Sequence, residues 1–196
     1  MKQLSPLERI ENYRRIFKGP AYLLYEPETD WIVGHWEIGN SYKKANGYHG
    51  GLQGNFLKRI DALYPDRQRV LHLFTGMVDT TAFPGDTLDI RPDLGPTYCR
   101  NAETCEGMPL HLYDFILADP PYTREDAAKY GTRMPCSRKV MATLAAGVRP
   151  ATRIAGLDQR KPIYRKREWK LDTIIGITGS TNHILRALFV FTRKAD

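Results

Sequence analysis

Apolar and polar positions follow two rhythms along this chain. Near the start, Leu7, Ile10, Tyr13 and Phe17 recur at three- and four-residue spacing, which predicts a helix with one buried face. Ser5-Pro6-Leu7-Glu8 supplies its beginning. Serine and glutamate three residues apart make a capping box around a proline at the first helical position, and Gly19-Pro20 ends the segment. Arg9, Arg14, Arg15 and Lys18 read as solvated decoration on that helix. "AYLLYE" reads as a short strand, and residues 31–51, dense in glycine and aromatics, read mostly as loop. A second apolar stripe, Leu52, Phe56, Leu57, Ile60 and Leu63, predicts another amphipathic helix that ends at Tyr64-Pro65.

Beyond these helices the rhythm becomes one of short continuous apolar runs separated by turn signals. "RVLHLF", "TLDI", "TYCRNA" and "DFILA" predict four strands, the third weak and the fourth strong. "REDAAKYG" and "SRKVMATLAAGV" predict helices, and "TRIAGLD" a fifth strand. "LDTIIGITG" and "HILRALFVFTRK" predict a terminal antiparallel pair. Apolar runs without polar alternation are the mark of strands buried on both faces, hence an α/β protein with a mostly parallel sheet covered by helices. Phe74 and Thr87 enclose only 12 residues, too few for a full crossover helix, so a shortened turn is expected there.

Composition narrows the picture without changing it. The 196 residues suit one domain with a full core, and 42% hydrophobic content is that of a globular chain rather than a disordered one. No apolar run approaches the roughly 20 residues of a membrane span, and "MKQLSPLERIENYRR" is too polar for a signal-peptide core. A cytoplasmic protein, bacterial or from a phage-infected cell, is the expectation. Cys99, Cys105 and Cys136 lack paired-ligand spacing and read as reduced thiols, and no metal site is expected. The net charge of +7 favours a polyanionic partner. "QRKPIYRKREWK" gathers six of the cations around Tyr164 and Trp169, either a solvated loop or a phosphate-contacting patch.

Ligands of open α/β sheets bind at the carboxyl ends of the strands, so the residues just after each strand are the candidates for chemistry. Thr75-Gly76 follows the first of the apolar runs, where a glycine allows close backbone approach. Asp89 closes the second, placed to accept hydrogen bonds from both hydroxyls of a ribose, or alternatively to act as a plain surface aspartate. Asp119-Pro120-Pro121-Tyr122 closes the fourth. Each proline fixes its own backbone and restricts the residue before it, so a carboxylate, a carbonyl and a ring are held together at a strand tip.

"ADPPY" after a buried strand resembles the catalytic motif of S-adenosylmethionine-dependent methyltransferases that modify planar amino groups, chiefly in DNA and in some RNAs. The resemblance spans residues 48–193. It implies a Rossmann-like methyltransferase fold with helices on both faces and a C-terminal antiparallel strand. It also implies a single methyltransferase domain over residues 1–196, with residues 1–47 as an N-terminal helix and aromatic segment and no separate target-recognition domain. Catalytic residues would be Asp119, Pro120, Pro121 and Tyr122, with Tyr122 stacking on an extruded base. "HLFTG" resembles the cofactor loop, so Phe74, Thr75 and Gly76 would hold the cofactor, together with the ribose acid Asp89 and with Asn101 and Ala102 after the third strand. "YHGGLQGNFLKRI" resembles the segment that covers the methionine end of the cofactor, which adds Tyr48 and Gly50. Two positions depart from the pattern: Val78 stands where a second glycine is usual, and Asn101 where an acid is usual. The implied partner is nucleic acid, DNA before RNA and adenine before cytosine. A catalytically idle nucleic-acid-binding module is the alternative from another class.

Overall fold

The computed structural model describes residues 3–18, 22–39, 54–179 and 185–195. Its centre is a nine-stranded sheet. The strands in chain order are β1 (Tyr22–Glu26), β2 (Trp31–Ile38), β3 (Val70–Leu73), β4 (Asp86–Asp89), β5 (Tyr98–Cys99), β6 (Phe115–Ala118), β7 (Arg153–Asp158), β8 (Trp169–Gly179) and β9 (Arg186–Arg193). Across the sheet they run β1-β2-β8-β9-β7-β6-β3-β4-β5. Strands β3 to β7 pair in parallel, and β9 runs antiparallel to both of its neighbours.

Strands β3 and β6 are buried at every residue, and alternate side chains serve opposite faces. Phe115 and Leu117 join one core, where helices α1 (Pro6–Ile16) and α2 (Gly54–Leu63) supply Ile10, Tyr13, Phe56, Leu57 and Ile60. Ile116 and Ala118 join the other, covered by Val140, Met141 and Leu144 of α4 (Ser137–Gly147). Helices thus flank both faces. The short helix α3 (Arg124–Lys129) is capped by the Thr123 side chain, which accepts from the Asp126 amide at 3.0 Å.

The capping box of α1 forms as its sequence predicts: the Glu8 amide donates to Ser5 Oγ and the Ser5 amide to Glu8 Oε2. Ile10 and Tyr13 are buried and Phe17 packs against the same core, but Leu7 of the same stripe is exposed. The turn between β3 and β4 holds no helix, as its length requires. Phe83 fills that space instead, buried on the sheet with its carbonyl 3.0 Å from His72 Nε2.

Two expectations fail. Residues 31–38 are not loop: Trp31–Ile38 forms a strand that hairpins with β1 and runs parallel to β8. Gly34 disguised it, and the structure explains that glycine, since a Cβ there would lie 2.1 Å from the Tyr22 carbonyl oxygen. Arg9 is not solvated decoration. It is 5% exposed, lies over the Tyr64 ring and shares Asp66 with the equally buried Arg153. Burial lowers the Arg9 pKa, with the Arg153 charge adding to it.

Among the described residues no helix is long and apolar enough to cross a membrane. Asp66 also accepts from the Leu4 amide at 3.1 Å, so one carboxylate ties the N-terminal segment to α1 and β7. Removing it leaves two guanidinium groups buried without the carboxylate they share. Asp66→Ala is expected to lower unfolding free energy by about 3–5 kcal/mol, read by urea denaturation.

Candidate active site

The chain leaves β3 for β4 and β5 on one side, then returns to β6 and β7 on the other, so the strand order reverses between β3 and β6. A crevice opens at such a switch point, beyond the carboxyl ends of the strands. Here it is a cleft of about 800 Å³, within the range that accommodates cofactor-sized molecules. Phe74, Gly76, Asp89, Asn101 and Ala102 line it on the β3–β5 side, and Asp119, Pro120, Pro121 and Tyr122 stand at the end of β6. Of the residues expected from sequence, these nine converge on one space. Tyr48 and Gly50 lie outside the described residues, as do Leu52 of the second stripe and the Gly19-Pro20 stop.

Thr75 is close by but turned away from the cleft. Its hydroxyl donates to the His72 and Leu88 carbonyls, both at 3.0 Å, and so ties the end of β3 to β4. Around it the backbone bends sharply, with Phe74 at φ 56° and Gly76 at φ 51°. The left-handed region costs a phenylalanine about 1 kcal/mol, and such strain is characteristic of ligand-facing turns. The turn aims the Gly76 amide at Asp89 Oδ2, 3.1 Å away, while Asp89 Oδ1 accepts from the Arg91 amide at 3.0 Å. Two amides therefore fix the plane of the Asp89 carboxylate at the cleft wall. Val78, in the place of the usual second glycine, donates its amide to the Thr75 carbonyl and packs its side chain against the core beneath α1 and α2.

Asn101 spends its side-chain carbonyl on its own loop, accepting from the Glu103 amide at 2.9 Å. That loop presents Glu103, a residue that sequence reading missed. Its carboxylate is buried and accepts from the Cys136 amide and from Arg133 Nη2, each at 2.8 Å, while the Thr143 hydroxyl bonds its carbonyl. Glu103 thus straps the segment before α4 across the β5 end of the cleft.

At the end of β6, the Tyr122 hydroxyl donates to Asp119 Oδ1 at 2.5 Å. The ring packs against the core beneath α1 and α2 while lining the cleft. Burial pushes the Tyr122 phenol up, and the Asp119 carboxylate adds to that. The phenol is therefore neutral and a hydrogen-bond donor at ordinary pH. Arg186 and Gln159 line the cleft as well. Arg186 went unnoticed because it begins a strand; only the antiparallel course of β9 brings a strand's first residue to this edge.

The basic stretch has a mixed character. Trp169 is core, donating to the Met141 carbonyl at 3.1 Å, and Tyr164 packs on Phe191 with centroids 4.7 Å apart. Trp169 is therefore no surface stacking platform, while the half-buried Tyr164 carries Lys161 over its ring. Arg165 and Arg167 both lie near Glu168, and Lys170 is paired with Asp30 and Asp172. Arg160, Lys161 and Lys166 are exposed.

Among solved structures, TrmN from Thermus thermophilus superposes with a TM-score of 0.57 over 74% of this chain at 19% identity. The fold is that of the Rossmann-like class I methyltransferases. The chain spans half the length of that TrmN chain. It matches 94% of the N-methyltransferase NodS from Bradyrhizobium japonicum WM9 with a TM-score of 0.50 at 10% identity, over 72% of its own length. At these identities the likeness is one of fold. No family model and no curated protein matches the chain.

The strap yields a direct check. Glu103→Ala strips the acceptor from the Cys136 amide and from Arg133, and an expected loss of about 1–3 kcal/mol would appear as a lowered urea midpoint.

Proposed function

We propose that this chain is an S-adenosylmethionine-dependent methyltransferase acting on an exocyclic amino group of a nucleic-acid base. Adenine in DNA is the target that the Asp119–Tyr122 motif favours. The observation that carries the reading is the meeting, at one switch-point cleft, of a fixed ribose-type acid with a carboxylate and a proline carbonyl at the next strand tip. The protein is read as a single methyltransferase domain working in the cytoplasm.

The residues present suit the cofactor. Asp89 has its plane fixed by two amides and keeps lone pairs for a diol, and the strained turn at Phe74–Gly76 brings backbone to the cleft. Asn101 and Ala102 would border the adenine end. When bound, S-adenosylmethionine supplies an electrophilic methyl group on a sulfonium.

Everything else falls to this chain. An aromatic amino group is a poor nucleophile because its lone pair is delocalised into the ring. Asp119 and the Pro120 carbonyl would accept its two hydrogens and leave the lone pair directed across the cleft. Both acceptors also stabilise the positive charge that grows on nitrogen, a benefit that costs no reorganisation because prolines hold the pair in place. Asp119 or water would take the proton afterwards. Tyr122 would form the wall on which the base rests.

RNA is the second reading, and the partial neutralisation of the basic stretch favours it. A duplex whose base must be extruded calls for an extended cationic grip, whereas bases in RNA loops are already unstacked. NodS is named an N-methyltransferase, in keeping with nitrogen as the acceptor.

The deciding assay offers labelled methyl donor with duplex DNA, single-stranded DNA and RNA in parallel, followed by nucleoside analysis. Label in N6-methyladenine from DNA is the expected result; label only in RNA selects the second reading; no transfer, with no thermal shift on adding S-adenosylmethionine, leaves a binding module. Asp119→Ala should lower turnover by a factor of about 10² or more while cofactor affinity holds. For Asp89→Ala, calorimetry should show cofactor affinity weakened roughly tenfold or more, the worth of a charged hydrogen bond.

A further inference from the structure

The two faces of the sheet are covered unequally. On one, α1 and α2 bury Leu23 of β1, Ile32 and Trp36 of β2, Ile175 of β8 and Leu188 of β9. Alternate residues of these strands point the other way. There the registers line up an apolar row: Leu24 beside Val33, Val33 beside Ile174, and Ile174 beside Phe189. In the next row toward the cleft end, Tyr22 stands beside His35, His35 beside Gly176 and Gly176 beside Ala187. Helix α4 and the segment carrying Tyr164 cover this side as far as β9 and the beginning of β8. Among the described residues nothing continues that cover over β2 and β1. Tyr22 is 70% exposed and Leu24 63%, and His35 is exposed beside them. An apolar strip left bare across neighbouring strands marks a surface for another body.

The charges around the strip identify that body. On its β9 side the segment after β7 carries Arg160 and Lys161, both exposed. On its β1–β2 side stand Glu26 and Glu37, also exposed, and strand alternation puts both on the bare face. Their heights along the strands match in pairs. The Arg160 amide is tied to Asp158, whose partner Ala187 lies in the His35 row, and Glu37 lies just beyond His35. Lys161 lies over the Tyr164 ring, which packs on Phe191 beside Leu171, level with the beginning of β2, where Glu26 pairs with Trp31. A polyanion laid along this strip would meet carboxylates at its far side. A second copy of the chain, turned about a two-fold axis between β2 and β8 and parallel to them, meets opposite charge on both sides.

We propose that this chain forms a two-fold dimer in which the bare faces of β1, β2 and β8 of two copies lie against each other. That axis exchanges the sides of the strip and keeps height along the strands. Arg160 of one copy thus comes over Glu37 of the other, Lys161 over Glu26, and Val33 over Ile174. The raised segment on β9 meets the bare β1 side, and the sheets pack aligned, as in sandwiches. The outer edge of β1 offers a second copy less, because the Arg14 guanidinium already takes the Leu23 carbonyl at 2.9 Å. Size sets the character of the contact. Three strands about 4.8 Å apart, bare over about four residues each, give a flat area of roughly 200 Å². A standard interface takes about 800 Å² from each partner, so the charged flanks carry much of this one. The dimer is therefore reversible and sensitive to salt. Because the axis runs along the strands, both clefts open at the same end of it.

Sedimentation velocity tests this on wild type, Leu24→Glu, Arg160→Glu/Lys161→Glu and Glu26→Lys/Glu37→Lys. All five positions are exposed, so the variants should fold, which circular dichroism checks. Wild type should dimerise reversibly in the micromolar range. Raising salt from about 0.1 M to about 1 M should weaken the association about tenfold or more, as the Debye length falls from about 10 Å to about 3 Å. Leu24→Glu should be monomeric where wild type is dimeric. Each charge-reversed chain should also be monomeric alone, because both of its flanks then carry one sign. Mixed in equal amounts, the two should form a heterodimer, since each supplies the sign the other lacks. Wild type that stays monomeric up to its solubility limit would overturn the dimer. So would a dimer that Leu24→Glu leaves intact, or charge-reversed chains that ignore each other on mixing. A monomeric wild type whose binding to single-stranded DNA or RNA is lost in Leu24→Glu would overturn it too, and would assign the face to nucleic acid.

Discussion

The register of β3 against β6 is the constraint on which the rest of the molecule hangs. Val70 stands beside Phe115 and Leu73 beside Ala118, so both strands run out at the same height. The alignment is held at both ends. At the lower end Asp114 accepts from the Gln68 and Arg69 amides, the latter at 2.7 Å, and at the upper end the Asp119 amide donates to the Leu73 carbonyl at 3.3 Å. A slip of one residue would send Phe115 and Leu117 to the wrong face of a sheet buried on both sides, which is why the pairing admits no alternative. Phe74 and Asp119 emerge adjacent as a consequence. The turn that carries Gly76 and the motif that carries Asp119 are neighbours because two four-residue strands are in step.

From that pair outward the sheet distributes its tasks. Strands β4 and β5 add Asp89 and Asn101 on one side, each already committed to local amides. Strands β7 and β9 add Gln159 and Arg186 on the other. Among the described residues, neither half relies on a long loop to bring its groups to the cleft. The groups sit on strand tips or one to three residues beyond, and preorganisation of this kind is what lets polar groups stabilise developing charge without paying to reorient. The strap from Glu103 to Cys136 and Arg133 extends the same logic to a wall that is not built from a strand tip.

How much of this was legible in the sequence depends on how local the signal is. Helix α1 announced itself through Ser5 and Glu8, because a capping box is a contact between residues three apart. Strand β6 announced itself through four apolar residues ending on two prolines. The missing helix between β3 and β4 followed from chain length alone. Strand β2 was hidden because Gly34 answers to the backbone of β1, and no reading of residues 31–38 by themselves reveals a neighbour. Arg9 was hidden for a similar reason. Its partner Asp66 lies 57 positions away, and an arginine with a buried distant carboxylate looks from sequence like any surface cation. Arg186 was missed because the strand-tip rule is phrased for strand ends, while an antiparallel strand presents its beginning at the same edge.

Charge gave the least reliable guidance, and the structure shows why. The excess of +7 suggests a surface awaiting a polyanion. Yet Arg9 and Arg153 are buried around Asp66, Lys170 is held by Asp30 and Asp172, and Arg165 and Arg167 share Glu168. In the cleft itself, Arg91 pairs with Asp93, Arg133 with Glu103, and Arg100 bonds the Cys99 carbonyl. Arg9 and Arg153 are spent inside the fold, while Arg133, Arg165 and Arg167 keep exposed guanidinium groups beside their acidic partners. The buried cations reach a partner only through the long-range field, which steers approach and is screened by salt. Around Asp119 the geometry is short-range: the Tyr122 hydroxyl holds one oxygen of the carboxylate at the cleft.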